Sequence, residues 1–149
     1  MDDFVIQIDE AIGQLCNLDR VIDAKCRDYG CGFELSAREI HTLEAMVNHP
    51  NRNASELTEL LGFQKGTFSK IASRLEKRGL VQRYQSQENR KEIFFRCTSL
   101  GQQAYEGHYR FHERTSPAAY ERFQHYTEEE QAVILQFISD YIQYLKDYF

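Results

Sequence analysis

Apolar residues recur every three to four positions along most of this chain, and a few sharp breaks divide the recurrence into helices. Phe4, Ile8, Ile12 and Leu15 predict an amphipathic first helix that continues less regularly towards Tyr29, where Gly30-Cys31-Gly32 breaks it. Ser36, with Glu39 three residues on, forms a capping box that opens a second helix. It carries Ile40, Leu43 and Val47 to about Asn48 and ends at His49-Pro50-Asn51. Asn53 and Glu56 open a third helix over 53–61, with Leu57, Leu60 and Leu61 directed inward and Gly62 as its stop. In a fourth helix over about 64–78, Phe68, Ile71, Ala72 and Leu75 repeat at i, i+3, i+4 and i+7 and so pack inward.

The pattern then changes period. Residues 80–84 and 92–96 read as two strands joined by a polar turn with Asn89-Arg90-Lys91 at its tip. Thr98 caps a long fifth helix that starts near Leu100 and is bent or ended by Pro117, and Thr127-Glu128-Glu129-Glu130 opens a sixth. That last helix carries Val133, Ile134, Phe137, Ile138, Tyr141, Ile142, Leu145 and Phe149. An apolar surface this wide exceeds what one helix on a small body needs, which predicts cover by a second subunit.

The expected fold class is therefore mainly α with a small β-hairpin wing. It is a winged helix-turn-helix of about six helices, with the apolar surface of the last as the expected dimer contact. The second helix of such a unit is sized for the major groove of DNA, while a charged hairpin tip beside it reaches phosphates or the minor groove. Two units related by a two-fold axis match a pseudo-palindromic operator.

Net charge at first argues against a nucleic-acid partner, because 23 acids outweigh 18 bases. Local charge reverses the picture. Residues 65–96 hold nine of those cations (Lys65, Lys70, Arg74, Lys77, Arg78, Arg83, Arg90, Lys91 and Arg96) against Glu76, Glu88 and Glu92, a net +6 beside −11 for the rest. A basic island on an acidic body lets counterion release favour DNA at one face only.

The inward stripe of the fourth helix leaves Lys65, Thr67, Ser69, Lys70, Ser73 and Arg74 outward. Short hydroxyls suit base edges and long cations suit phosphates. Gly66 permits close approach to a backbone, and a helix N-terminus favours a phosphate. Arg90, with Lys91 beside it, is the wing candidate, since arginine gains from the concentrated negative potential of a narrow minor groove. An ordinary solvated helix face and a solvated turn are the plain alternatives.

Composition excludes several other classes. The chain has no apolar run of membrane-spanning length and no charged start leading into one, so a cytoplasmic location is expected. Cys16, Cys26, Cys31 and Cys97 show no C-x-x-C spacing, and reduced thiols are the default reading. There is no H-E-x-x-H, G-x-S-x-G or phosphate-binding glycine loop, and the chain is not expected to be an enzyme. Two alternatives stay open: a winged-helix protein-interaction module, and a hydrolase using a histidine-bound metal. His108 and His112 stand at i and i+4 on the fifth helix, the spacing with which one helix offers two imidazoles to zinc.

The order of elements, with Leu35-Ser36-Ala37-Arg38-Glu39-Ile40-His41, Lys65-Gly66-Thr67-Phe68-Ser69-Lys70, Leu75-Glu76-Lys77-Arg78-Gly79-Leu80 and Glu88-Asn89-Arg90-Lys91 followed by Thr98-x-x-Gly101, resembles the MarR family of transcriptional regulators. The resemblance covers nearly the whole chain. It implies a single domain over 1–149, with a DNA-binding lobe at 35–98 and dimerisation helices at 1–30 and 99–149. It also implies an obligate dimer, usually a repressor relieved by a small ligand, a metal or oxidation. Asn89 stands where the family usually has Asp before the wing arginine, and Cys97 replaces an aliphatic residue of the second wing strand.

Three effector classes follow from branches of that family. In its zinc-responsive branch a carboxylate of the first helix, a histidine of the second and two of the fifth hold the metal, positions that Asp23, His41, His108 and His112 occupy here. The second metal site of that branch is not reproduced, since Ile40 and Gly107 stand where it has acids. Glu39-Ile40-His41-Thr42 with His108-Tyr109-Arg110-Phe111-His112 equally resembles the fatty-acid-synthesis repressors, which answer to acyl chains on a carrier protein. Gln14-Leu15-Cys16 resembles the reactive-cysteine segment of peroxide sensors and makes Cys16 a redox candidate, beside the plainer reading of all four cysteines as buried and inert. Zinc is the one cofactor these readings admit.

Overall fold

The structure, a computed structural model, describes residues 3–86 and 90–148, with backbone alone at 119 and 120. Its elements are α1 (Asp3–Asp23), β1 (Cys26–Asp28), β2 (Glu34–Ser36), α2 (Ala37–Asn48), α3 (Ala54–Leu60), α4 (Lys65–Lys77), β3 (Val81–Gln85), β4 (Ile93–Cys97), α5 (Ser99–Thr115), α6 (Pro117–Phe123) and α7 (Glu128–Tyr148). They form two compact units, Met1–Phe111 and His112–Phe149, with the division inside α5.

The first unit is built on α2 and α4. Leu35, Ile40, Leu43, Met46, Leu57, Phe68, Ile71, Leu75, Leu80, Val81 and Phe95 bury one continuous core, in which the Phe68 and Phe95 rings meet edge to face at 5.8 Å. Leu60 is the exception among the expected core leucines, being 43% exposed at the end of a helix of seven residues. Both predicted capping boxes are formed. Ser36 Oγ accepts from the Glu39 amide and Glu39 reaches back to the Ser36 amide, while Asn53 and Glu56 do the same for α3. Gly62, at φ 64°, makes the turn into α4.

Between α1 and α2 the chain departs from the expected helical continuation to Tyr29. The first helix ends at Asp23, and Cys26–Asp28 pairs antiparallel with Glu34–Ser36. The cause is local. Asp28 Oδ1 accepts from the amides of Gly30 (2.8 Å), Cys31 (3.0 Å) and Gly32 (3.2 Å), and both glycines take positive φ, so one carboxylate closes a loop that a helix could not hold. The Gly30 amide leads these donors, which together outweigh desolvation and hold the Asp28 carboxyl below its ordinary range.

The predicted wing forms one residue later than expected at each strand, with Val81 opposite Cys97 and Gln85 opposite Ile93. Tyr84 stacks on Phe94 at 5.6 Å, and the Arg96 guanidinium lies over the Tyr84 ring, 5.1 Å from its centroid. Gln85 Nε2 donates to the Arg90 carbonyl at 2.9 Å and ties the two ends of the wing turn. Glu88 and Asn89 lie outside the described residues. Thr98 Oγ accepts from the Gly101 amide, as a cap of α5 should, and donates to the carbonyls of Gly79 and Leu80.

In the second unit, Pro117 ends α5 and stands first in α6, where its missing N–H costs nothing. Thr127 and Glu130 exchange the hydrogen bonds of a capping box at the start of α7. No residue of α7 is buried, and Val133, Leu135, Ile138 and Ile142 are each about half exposed or more. The apolar surface foreseen for this helix is present through Leu145, and Phe149 lies outside the described residues. Among the described residues no helix is long and apolar enough to cross a membrane.

Candidate nucleic-acid interface and histidine cluster

Helix α4 differs from its neighbours at its start. Capping boxes close α2 and α3, whereas Gln64 at the N-cap of α4 makes no side-chain hydrogen bond and no acid stands in the first turn. The leading amides of a helix without a cap offer donors and a partial positive charge to an external anion. Lys65, Gly66, Ser69 and Lys70 are exposed around that end, and the space where Gly66 would carry a Cβ is open. Lys65 and Lys70 make no ion pair among the described residues. Thr67 is half-buried, and Ser69 Oγ donates to the Lys65 carbonyl of its own helix at 3.1 Å.

In the C-terminal half of α4, Ser73 and Arg74 are exposed as expected, and both also bond to neighbouring side chains. Arg74 Nε donates to Glu39 Oε1 at 3.0 Å, and Ser73 Oγ accepts from Arg83 Nη2 at 3.3 Å. Arg83 Nε also lies 3.1 Å from Glu76 Oε2, which fastens strand β3 to α4. Arg90 and Lys91 are exposed at the wing turn. The expected interface thus comprises a group at the start of α4 and at the wing, and an exposed pair, Ser73 and Arg74, that is also bonded to other side chains of the protein. No sequence pattern joins Arg74 to a glutamate 35 residues earlier.

Glu39 itself was legible only as a cap. Its carboxylate is buried, and burial opposes its ionisation. The Ser36 amide, the Arg74 guanidinium, the Ser36 hydroxyl and the charge of Arg78 together outweigh that cost and hold its carboxyl below the ordinary glutamate value. Arg78 completes the group, with Nη1 3.6 Å from Glu39 Oε2 and 3.1 Å from the Glu34 carbonyl, and its guanidinium 5.3 Å from the Phe33 ring.

A second constellation surrounds His108. The ring is 3% exposed, meets His41 at 5.2 Å and Tyr29 at 5.2 Å edge to face, and has Glu44 Oε2 3.8 Å from Nδ1. His112 follows one turn later on the unbroken helix α5. The three histidines offer ligand atoms that all lie within 4.8 Å of one another. Ligand atoms of a tetrahedral zinc site stand about 3.3 Å apart, given Zn–N bonds near 2.0 Å. The imidazoles fit such an ion after a small closure. Asp23, the fourth expected ligand, is not in this group, for its carboxylate pairs with Arg38 Nε.

Cys16 and Cys26 are exposed, so the expectation of four buried thiols fails for these two; Cys31 is buried and Cys97 half-buried, with burial pushing the Cys97 thiol up.

A short helix, a glycine turn, a basic helix with an open N-terminus and a two-stranded wing define a winged helix-turn-helix protein. Residues 35–93 match the MarR family. It is 30% identical over 103 residues, 69% of its length, to an uncharacterized HTH-type transcriptional regulator, YhjH, of Bacillus subtilis (strain 168). The chain spans 59% of the length of the curated relatives it matches. Its fold is shared with Streptococcus pneumoniae FabT in complex with DNA (TM-score 0.65, 23% identity, 97% of this chain and 99% of that one). It is shared also with Lactococcus lactis ZitR, a zinc-responsive family member (TM-score 0.64, 18% identity, 95% and 99%). The relatives are named as regulators, and the hydrolase alternative has no counterpart among them.

Proposed function

We propose that this protein is a sequence-specific DNA-binding transcriptional regulator, a homodimeric repressor of a pseudo-palindromic operator. The observation that carries the reading is the start of α4. Its amides are uncapped and flanked by Lys65 and Lys70, beside a wing with Arg90 and Lys91 at its turn. Phosphate on those amides and lysines would set the register, with Thr67 and Ser69 placed to meet base edges. The apolar surface left on α7 supports the dimer, because two-fold symmetry converts one recognition helix into a pair facing successive major grooves.

Selection from a random duplex library tests this directly. The expected product is an inverted repeat whose half-sites are centred about one helical turn, roughly 10 base pairs, apart. No enrichment after repeated rounds at low salt would exclude sequence-specific reading and leave the protein-interaction alternative.

The histidine cluster favours a metal effector, and zinc is the ion its chemistry suits. His41, His108 and His112 would hold it, and Asp23 joins only by leaving Arg38. Zinc would supply fixed charge and a tie between α2 and α5, with no role in bond breaking. Protein purified without chelator is expected to carry about one zinc per chain by elemental analysis, and His108→Ala and His112→Ala to carry none. Metal-free protein after dialysis against excess zinc would remove this effector.

A further inference from the structure

The cations of the recognition helix divide by what they touch. Lys65 and Lys70, near its N-terminus, have no partner carboxylate among the described residues. Arg74 and Arg78, one turn apart on the same helix face, converge on the Glu39 carboxylate, whose side chain is 7% exposed. Arg78 is anchored a second time by the Glu34 carbonyl and the Phe33 ring. The Ser36 amide and hydroxyl both donate to Oε2, which leaves the other oxygen of a buried anion to be met. Arg74 Nε donates to that oxygen, Oε1, and Arg78 adds its charge at 3.6 Å from Oε2.

We propose that Glu39 is a positioning residue for DNA recognition. Its carboxylate grips Arg74 and Arg78 and so fixes α4 against the N-terminus of α2, and Arg74 serves binding by placing the helix rather than by neutralising a phosphate. The inference rests on the DNA-binding reading above.

A cation already paired with a buried carboxylate adds little charge for a phosphate to meet, so it releases few of the counterions condensed on DNA and contributes little to the salt dependence of binding. Base-reading groups, by contrast, must be held to within about 0.5 Å, which a partly exposed helix achieves only through such supporting bonds. The carboxylate is also the member of the pair that sequence reasoning assigns wholly to the cap. Glutamine serves equally well at that cap position, so Glu39→Gln removes the grip on α4 while leaving the start of α2 closed.

The test is a set of binding isotherms, by fluorescence anisotropy, on a labelled duplex of about 30 base pairs recovered in the selection, long enough for two half-sites. Salt is varied, and wild type, Glu39→Gln, Arg74→Ala, the double variant and Lys70→Ala are compared at a temperature where circular dichroism shows each to be folded. Glu39→Gln and Arg74→Ala are each expected to weaken binding about tenfold with the wild-type salt slope, and the double variant to be no weaker than either. Lys70→Ala, the phosphate comparator, loses about 1.8 from the slope, 0.9 for each of two subunits.

An Arg74→Ala slope lower by about 1.8, with an effect that multiplies that of Glu39→Gln, would show Arg74 on a phosphate and overturn the proposal. Wild-type affinity in Glu39→Gln would overturn it too. Failure of the wild type to bind any duplex is a different outcome and brings down the DNA-binding reading itself.

Discussion

Gly107→Ala is expected to destabilise the protein by about 3 kcal/mol, the upper end of what overpacking costs, read as a lower urea midpoint at constant slope. A Cβ at Gly107 would lie 1.7 Å from the Tyr29 carbonyl oxygen and 2.6 Å from its carbon, both backbone atoms of the loop that Asp28 holds closed. No rotamer relieves that contact, so either α5 or the 28–32 loop must move. Tyr29 also packs on His108, and the displacement should therefore loosen the histidine cluster. Gly66→Ala is the control. Its Cβ meets nothing within 4 Å, and in a helix it should be neutral or stabilising by up to about 1 kcal/mol. Equal costs at the two positions would contradict the packing described here. The same approach explains why no acid stands at 107, where a second metal site would need one.

The largest effect on binding is expected from Lys65→Ala with Lys70→Ala. Each phosphate neutralised contributes a slope of about −0.9, and at 0.15 M salt this amounts to about a fivefold gain over binding at 1 M. Two lysines on each of two subunits make four contacts, so the double variant should lose about a thousandfold in affinity at 0.15 M and about 3.6 from the slope. The loss should fall on every sequence alike, because phosphate contacts carry no base information. A variant that discriminates less between sequences while keeping its slope would move the lysines to base edges.

How much of this was legible depends on the range of the interaction. Phe68, Ile71, Ala72 and Leu75 announced α4 because a helix repeats its inward face every turn, and all four are buried. The wing followed from the change of period, with an error of one residue per strand. Ser36, Asn53 and Thr127 marked helix starts because a cap is a contact over three residues. The pairing of β1 with β2 left no trace of this kind. Its strands have three residues each, Cys26, Arg27 and Asp28 are all exposed, and the loop is made by one aspartate bonding to three amides. Nothing in such a segment alternates.

The site divides the same way. Charge along the chain located the basic island, and composition separated it from the acidic remainder. It could not separate a lysine that faces solvent from an arginine that faces a buried carboxylate, since Lys70 and Arg74 stand four residues apart on one exposed stripe. Only the fold brings Glu39 to Arg74, and Arg83 to Ser73 and Glu76. The histidines were half legible: helical spacing paired His108 with His112, the family resemblance added His41, and the structure gathers these three while Asp23 is engaged by Arg38.

If the open start of α4 is a phosphate-binding face of a dimer, the salt dependence of duplex affinity for the wild-type protein will show it between 50 mM and 200 mM salt, the interval over which phosphate contacts report. A linear fall of log K with log salt is expected, at a slope of about −3.6 or steeper, from Lys65 and Lys70 of two subunits. A slope near zero, or no binding even at the lowest salt, would contradict it.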